Sequence, residues 1–128
     1  MKLRIRSNSI RLRLSQSEVA QFQTTGAVEE SIEFGLSEDN KLIYRLISAV
    51  NKTIEAEFVH GQITVFVPQA LALEWTTTNR IGLGNKQEIG EERTLKILIE
   101  KDFSCVERRD GEDDSDAFPY PNEKGKPC

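Results

Sequence analysis

The feature that most limits how this chain can fold is an internal spacing, because two long stretches superpose at a constant offset of 53 residues. Leu3 falls on Ala56, Ile5 on Phe58, Ile10 on Ile63, Leu12 on Val65, Leu14 on Val67, Val19 on Ala72, Phe22 on Trp75 and Val28 on Ile81. Farther along, Leu36 falls on Ile89, Leu42 on Leu95, Tyr44 on Ile97 and Leu46 on Ile99. Identities are few, Ile10/Ile63, Gln16/Gln69 and Leu42/Leu95 among them, so what repeats is the apolar pattern and the placement of turns. A small unit repeated in this way buries its apolar face against its copy, which predicts two halves sharing one core.

Within the first half, Leu3, Ile5, Ile10, Leu12 and Leu14 alternate with Lys2, Arg4, Arg6, Arg11 and Arg13, the period of a half-buried strand. If Ser7 and Asn8 form a two-residue turn, Ile5 faces Ile10, Leu3 faces Leu12, Arg4 faces Arg11 and Lys2 faces Arg13, so every pair matches in kind. Ser15 and Glu18 have capping-box spacing before Val19 and Phe22, and Gly26 suits a helix exit, which predicts a helix near residues 16–24. Val28, Ile32 and Phe34 restart the alternation, residues 36–40 read as a turn, and residues 41–48 as a strand. The second half predicts a strand over 53–59, a turn at His60-Gly61, a strand over 63–67, and a short helix led by Pro68 that carries Leu71, Leu73 and Trp75. Ile81 and Leu83 begin a strand, residues 84–93 read as a polar loop, and residues 95–99 as the last strong strand. The expected fold is therefore mainly β (α+β): duplicated ββαββ halves, residues 2–48 and 55–101, forming one barrel-like domain over residues 1–106 with two short helices.

Composition supports a globular chain. Of 128 residues, 38% are hydrophobic and 30% charged, and two cysteines are too few for a disulfide framework. The start alternates arginine with apolar residues and lacks the continuous apolar run of a secretory signal, so a cytoplasmic protein without a membrane span is expected. The net charge of −4 disfavours a dedicated nucleic-acid binder. That average conceals an uneven distribution, since residues 1–14 hold five basic side chains and no acid, whereas the tail from residue 107 holds seven acids against four basic residues.

Gly61-Gln62-Ile63-Thr64-Val65-Phe66-Val67-Pro68, followed by Leu71, Ile81 and Leu83, resembles the swapped-hairpin unit of AbrB, MazE and MraZ proteins. The first half resembles it less, with Ser15 where Pro68 stands. The resemblance implies two units interleaved in a small barrel and, for many members, DNA binding through basic residues of the first hairpin. Here Arg4, Arg6, Arg11 and Arg13 match those positions, while the second half has Glu55, Glu57 and His60. Over its whole length the chain also resembles a family of small bacterial proteins of unknown function.

The candidate binding site is the basic hairpin face: Lys2, Arg4, Arg6, Arg11 and Arg13. Like charges facing across a hairpin call for a counter-charge. The preferred reading is neutralisation within the chain, by Glu29 and Glu33 or by the acidic tail; the sharper alternative is a phosphate or nucleic-acid contact. In the tail, residues 110–116 are acidic without calcium-loop spacing and read as a solvated linker. Phe118 and Tyr120, set among prolines, are expected to dock on the same domain. Catalytic signals are weak: His60 falls in a predicted turn, nothing places it with Cys105, Cys128 ends the sequence, and Gly82-Leu83-Gly84 lacks the third glycine and the helix of a phosphate loop. No metal, cofactor or catalytic residue is therefore expected. The leading expectation is a non-enzymatic binding or regulatory module, monomer or homodimer, for a protein or peptide partner. The alternatives are an AbrB-like DNA-binding regulator or antitoxin, and a small enzyme with a site between the halves.

Overall fold

The computed structural model describes residues 1–103 and 116–118. Its elements are β1 (Lys2–Arg6), β2 (Ser9–Leu14), α1 (Gln16–Thr25), β3 (Ala27–Glu33), a 3₁₀ turn (Glu38–Asn40), β4 (Lys41–Ala49), β5 (Glu55–Val59), β6 (Gln62–Pro68), α2 (Gln69–Thr77), β7 (Gly82–Gly90) and β8 (Arg93–Lys101). The order is ββαββ twice, in a mainly β fold.

The halves interleave instead of sitting side by side. One sheet has the order β1-β2-β8-β7 and the other β3-β4-β6-β5, so each takes one hairpin from each half. They are joined by parallel pairs, β2 with β8 and β4 with β6. Ser9 lies opposite Lys96 and Gln62 opposite Ile43, which is one register written twice at the 53-residue offset. Each sheet keeps two edge strands, so the architecture is a pair of facing sheets and not the closed barrel implied by a barrel-like reading.

Local chemistry explains most element ends. The β1–β2 hairpin has the register required by its two-residue turn, with Leu3 opposite Leu12 and Arg4 opposite Arg11, and Ser7 has φ 48°. At α1, Ser15 Oγ accepts from Glu18 N while Ser15 N donates to Glu18 Oε1 at 3.0 Å, the reciprocal capping box. Gly26, at φ 77°, ends the helix with its N–H on Phe22 O at 2.8 Å and feeds directly into β3. Pro68 closes β6 and precedes α2, but α2 has no such glycine at its exit. Its chain runs on through Thr78, Asn79, Arg80 and Ile81 before β7 begins.

That longer exit shifts β7 by two residues. Val28 faces Leu46 in β3–β4, and the matching partner of Ile99 is Leu83, which is buried, whereas Ile81 is 46% exposed. The pairing of Val28 with Ile81 is thus corrected to Val28 with Leu83. The tight Glu91-Glu92 turn then removes two residues from the loop, and β8 resumes the 53-residue offset. Residues 84–93 are not a polar loop; they form most of β7 and its hairpin turn, with Glu91 and Glu92 at φ 51° and 60°. Alternation is invisible there because the inward positions of β7 are Asn85 and Gln87.

The core lies between the sheets and under the helices. Leu12, Leu14, Leu46, Val65, Val67, Ile97 and Ile99 are fully buried, and Trp75 packs edge-on to Phe22 with ring centroids 6.2 Å apart. Trp75 Nε1 donates to Ile81 O at 3.0 Å, so the indole nitrogen is not left unsatisfied. Met1 and Ile54 are a further buried pair at the same offset. The expectations for Cys105, Cys128, Tyr120 and the tail acids at residues 107–114 fall outside the described residues.

Candidate functional site

Strand alternation sends one face of the first sheet inward and the other to solvent, and the outward face gathers basic side chains from four strands. Reading across β1, β2, β8 and β7, one row is Arg6, Ser9, Lys96, Lys86; the next is Arg4, Arg11, Leu98, Gly84; the third is Lys2, Arg13, Glu100, Gly82. Arg4, Arg6, Arg11 and Lys96 surround a depression of about 200 Å³ floored by Ser9 and Leu98. Gly82 and Gly84 keep the β7 side low, since a Cβ on either would lie 3.0 Å from a β8 atom.

Little within the described residues neutralises this face. Arg11 Nε lies 3.2 Å from Glu100 Oε1 and Lys2 Nζ lies 2.8 Å from Asp102 Oδ2; Arg4, Arg6, Arg13, Lys86 and Lys96 make no ion pair among the described residues. Glu29 and Glu33, expected as counter-charges, lie on the other sheet, where they face Arg45 at 3.4 Å and Lys41 at 4.0 Å. The sequence expectation identified the five basic residues of the hairpin and missed Lys86 and Lys96, which the parallel β2–β8 pairing brings alongside.

The equivalent outward face of the second sheet has the opposite character. Glu55 and Glu57 stand where the first sheet has Lys2 and Arg4, and Arg45 stands in place of Leu98. The halves exchange sheets under the duplication, a pseudo-twofold relation that preserves the core and changes the surface.

The two seams between the sheets also differ. Where β5 meets β7, Gln87 accepts from Ala56 N at 2.7 Å and donates to Ala56 O at 3.0 Å, and Asn85 Nδ2 donates to Ile54 O at 2.8 Å. Gln87 therefore occupies the edge of β5 as a neighbouring backbone would. A cleft of about 590 Å³ opens beside it, lined by Glu55, Glu57, Lys86 and Glu88. Where β1 meets β3, the Met1 amino group is held by Glu18 and Glu30, and the Tyr44 hydroxyl reaches Met1 O at 3.0 Å and Glu30 Oε2 at 3.2 Å. Burial alone would raise the Glu18 pKa, but hydrogen bonds from the amino group and from Ser15 outweigh it and hold the carboxyl below its ordinary value. Burial, reinforced by the negative charge of Glu30, pushes the Tyr44 hydroxyl up.

Phe118 docks beside the end of β8, bridged to Phe103. Its N–H donates to Asp102 O at 2.6 Å, and its ring sits 5.7 Å from that of Phe103. Beside it, Asp116 accepts from Ser17 Oγ at 2.5 Å at the start of α1, and these hydrogen bonds hold its carboxyl below the ordinary range. Lys101, which no sequence pattern singled out, lies between the rings of Trp75 and Phe118 and donates to Thr78 O at 2.7 Å; burial lowers its pKa. His60 is exposed in the β5–β6 turn at φ 49°. No cluster of metal-ligating side chains is present among the described residues, and no helix among them is long and apolar enough to cross a membrane.

No curated protein and no solved structure matches the chain. The protein belongs to the family of unknown function DUF7009, which it matches over residues 1–122.

Proposed function

We propose that this protein is a cytoplasmic binding module whose outward basic sheet face engages an acidic segment of a protein partner. The observation that carries this reading is the convergence of Arg4, Arg6, Arg11 and Lys96 on one depression, with a carboxylate beside Arg11 alone among the described residues. Arginine forks on a rigid sheet accept carboxylates with defined geometry and lose little freedom on doing so. Two features favour a short acidic peptide over a nucleic acid. Among the described residues the face bears no aromatic ring on which bases would stack, and the second sheet presents Glu55 and Glu57, so a long polyanion would run from an attractive surface onto a repulsive one.

The test is fluorescence anisotropy with a labelled ten-residue acidic peptide and with a labelled 20-base-pair duplex, at 50 and 300 mM salt. The expected result is salt-sensitive peptide binding that weakens about tenfold in Arg4→Ser/Arg11→Ser, since exposed charge contacts contribute roughly 0.2–1 kcal/mol each. Peptide binding untouched by salt and by the double variant overturns the reading. Tighter binding of the duplex than of the peptide overturns it in favour of the DNA-binding regulator class.

A further inference from the structure

The basic face is bounded by a strand edge that is open at Leu3, the position at which the matching edge of the other sheet is closed. In a two-residue hairpin the pair flanking the turn exchanges hydrogen bonds, and alternate pairs then point their backbone groups outward. Arg6 and Ser9 flank the turn, so Arg4 bonds inward to β2 while the N–H and C=O groups of Leu3 and Ile5 face away from the sheet. The equivalent outward groups on β5 are those of Ala56 and Phe58, and Gln87 occupies both of Ala56's, the counterparts of Leu3's. Gln87 lies opposite Leu95 and its counterpart Ile32 lies opposite Leu42, so the residue that closes the β5 edge is replaced at β1 by one with no donor or acceptor. Glu30, the counterpart of Asn85, is engaged with Met1. Among the described residues, no group hydrogen-bonds to the outward backbone of Leu3 or Ile5.

The side chains along this edge fall into two kinds. Lys2, Arg4 and Arg6 project to the basic face. On the other side, Ile5 is 61% exposed, and Ile32 of β3, the counterpart of the Gln87 that reaches Ala56, is 44% exposed. We propose that β1 receives its partner as an added strand, an extended peptide in which acidic residues alternate with apolar ones. Acids would then stand opposite Arg4 and its neighbours while apolar residues cover Ile5 and Ile32, and the peptide backbone would satisfy Leu3 and Ile5. A second copy of β1 is a poor occupant, because arginines would face arginines. The β5 strand of a second copy has the right alternation, Glu55-Ala56-Glu57-Phe58, but the middle of that segment is already closed at Ala56 by Gln87.

This inference rests on the basic face being the docking surface, and the experiment separates the two. A labelled nine-residue peptide of alternating Glu and Val is titrated into the full chain by anisotropy at 50 mM salt. It is compared with the same peptide N-methylated at every second amide, in both phases. The protein is compared with Ile32→Gln, which places on β3 the amide that closes the other seam and leaves every charge unchanged. The expected outcome is at least tenfold weaker binding in one methylation phase and in Ile32→Gln, together with slowed amide exchange at Leu3 and Ile5 on binding. Equal binding of all peptides, still lost in Arg4→Ser/Arg11→Ser, overturns strand addition and leaves the basic-face reading standing. No binding of the parent peptide overturns both. Should Ile32→Gln fail to fold, the methylation phases and the amide exchange decide alone.

Discussion

Replacing Gln87 tests whether a side-chain amide joins the two sheets. Its two hydrogen bonds to Ala56, at 2.7 and 3.0 Å, substitute for a strand neighbour along the β5 edge. Gln87→Leu keeps similar bulk and removes both. A net protein hydrogen bond contributes about 1 kcal/mol, so a seam that stayed dry would lose about 2 kcal/mol. Because the adjoining cleft of about 590 Å³ is open, water can reach Ala56 and recover part of that loss. The expected cost is therefore about 1–2 kcal/mol, or roughly 4–7 °C in melting temperature for a chain of this length. Gln87→Glu refines the test. Its carboxylate still accepts from Ala56 N but faces Ala56 O and the nearby Glu55, Glu57 and Glu88. When protonated it offers one acceptor and one donor, as glutamine does. Urea unfolding at pH 7 and pH 4, each compared with the parent at the same pH, should show a Gln87→Glu deficit at pH 7 that shrinks at pH 4. A Gln87→Leu protein within about 0.3 kcal/mol of the parent at both pH values, well below the net value of one bond, would refute the argument.

In the register of β7, Leu83→Ala should cost about 2–4 kcal/mol and Ile81→Ala under about 1 kcal/mol in chemical denaturation, because Leu83 is buried opposite Ile99 and Ile81 is partly exposed. The reverse order would restore the gap-free 53-residue alignment. Glu18 has a folded pKa below its ordinary 4.5, so its contribution is present above about pH 4.5 and is lost as pH falls through the lower folded value; Glu18→Gln should therefore be less stable than the parent at pH 7, with the gap closing in acid. Glu91→Asn/Glu92→Gly should raise stability by about 1 kcal/mol, measured by calorimetry, because both glutamates occupy the left-handed region that Asn-Gly adopts readily. Glu55→Lys/Glu57→Arg/Gln87→Ile should create a second, weaker site for the alternating peptide, read as stoichiometry by titration calorimetry. The charge changes alone, with Gln87 in place, should leave one site.

What could be read from the sequence was whatever local chemistry determines. The first hairpin announced its register because a two-residue turn leaves one way for Leu3, Ile5, Ile10 and Leu12 to share a face. Ser15, Glu18 and Gly26 marked α1 because a helix end needs those groups wherever it stands. The strand β7 was hidden because Asn85 and Gln87 hold inward positions as backbone partners of β5, so its polar residues resemble a loop. Its two-residue shift escaped notice because a longer exit after α2 is cancelled by a shorter turn before β8. The parallel joins between β2 and β8 and between β4 and β6 carry no local signature at all. For that reason Lys86 and Lys96 were missed, and Glu29 and Glu33 were expected as counter-charges to a hairpin whose sheet they do not share.

The duplication also explains how one half can diverge without endangering the fold. Each sheet contains a hairpin from each half, so positions such as Leu12 and Val65, or Leu46 and Ile99, are constrained by the same packing and remain apolar. Outward positions are constrained only by solvent, and there Lys2 and Arg4 could become Glu55 and Glu57, or the reverse, at a cost to stability within about 0.5 kcal/mol each. The seams are under an intermediate constraint, because a strand edge must be satisfied by a side chain, by water or by another chain. At β5 a glutamine satisfies it; at β1 an isoleucine does not. The basic face and the edge left open at Leu3 coincide on β1, and the acidic face and the edge closed at Ala56 coincide on β5. Two independent departures from the pseudo-symmetry thus fall on the same strand, which is the arrangement expected if β1 is held for an acidic partner and β5 serves the fold.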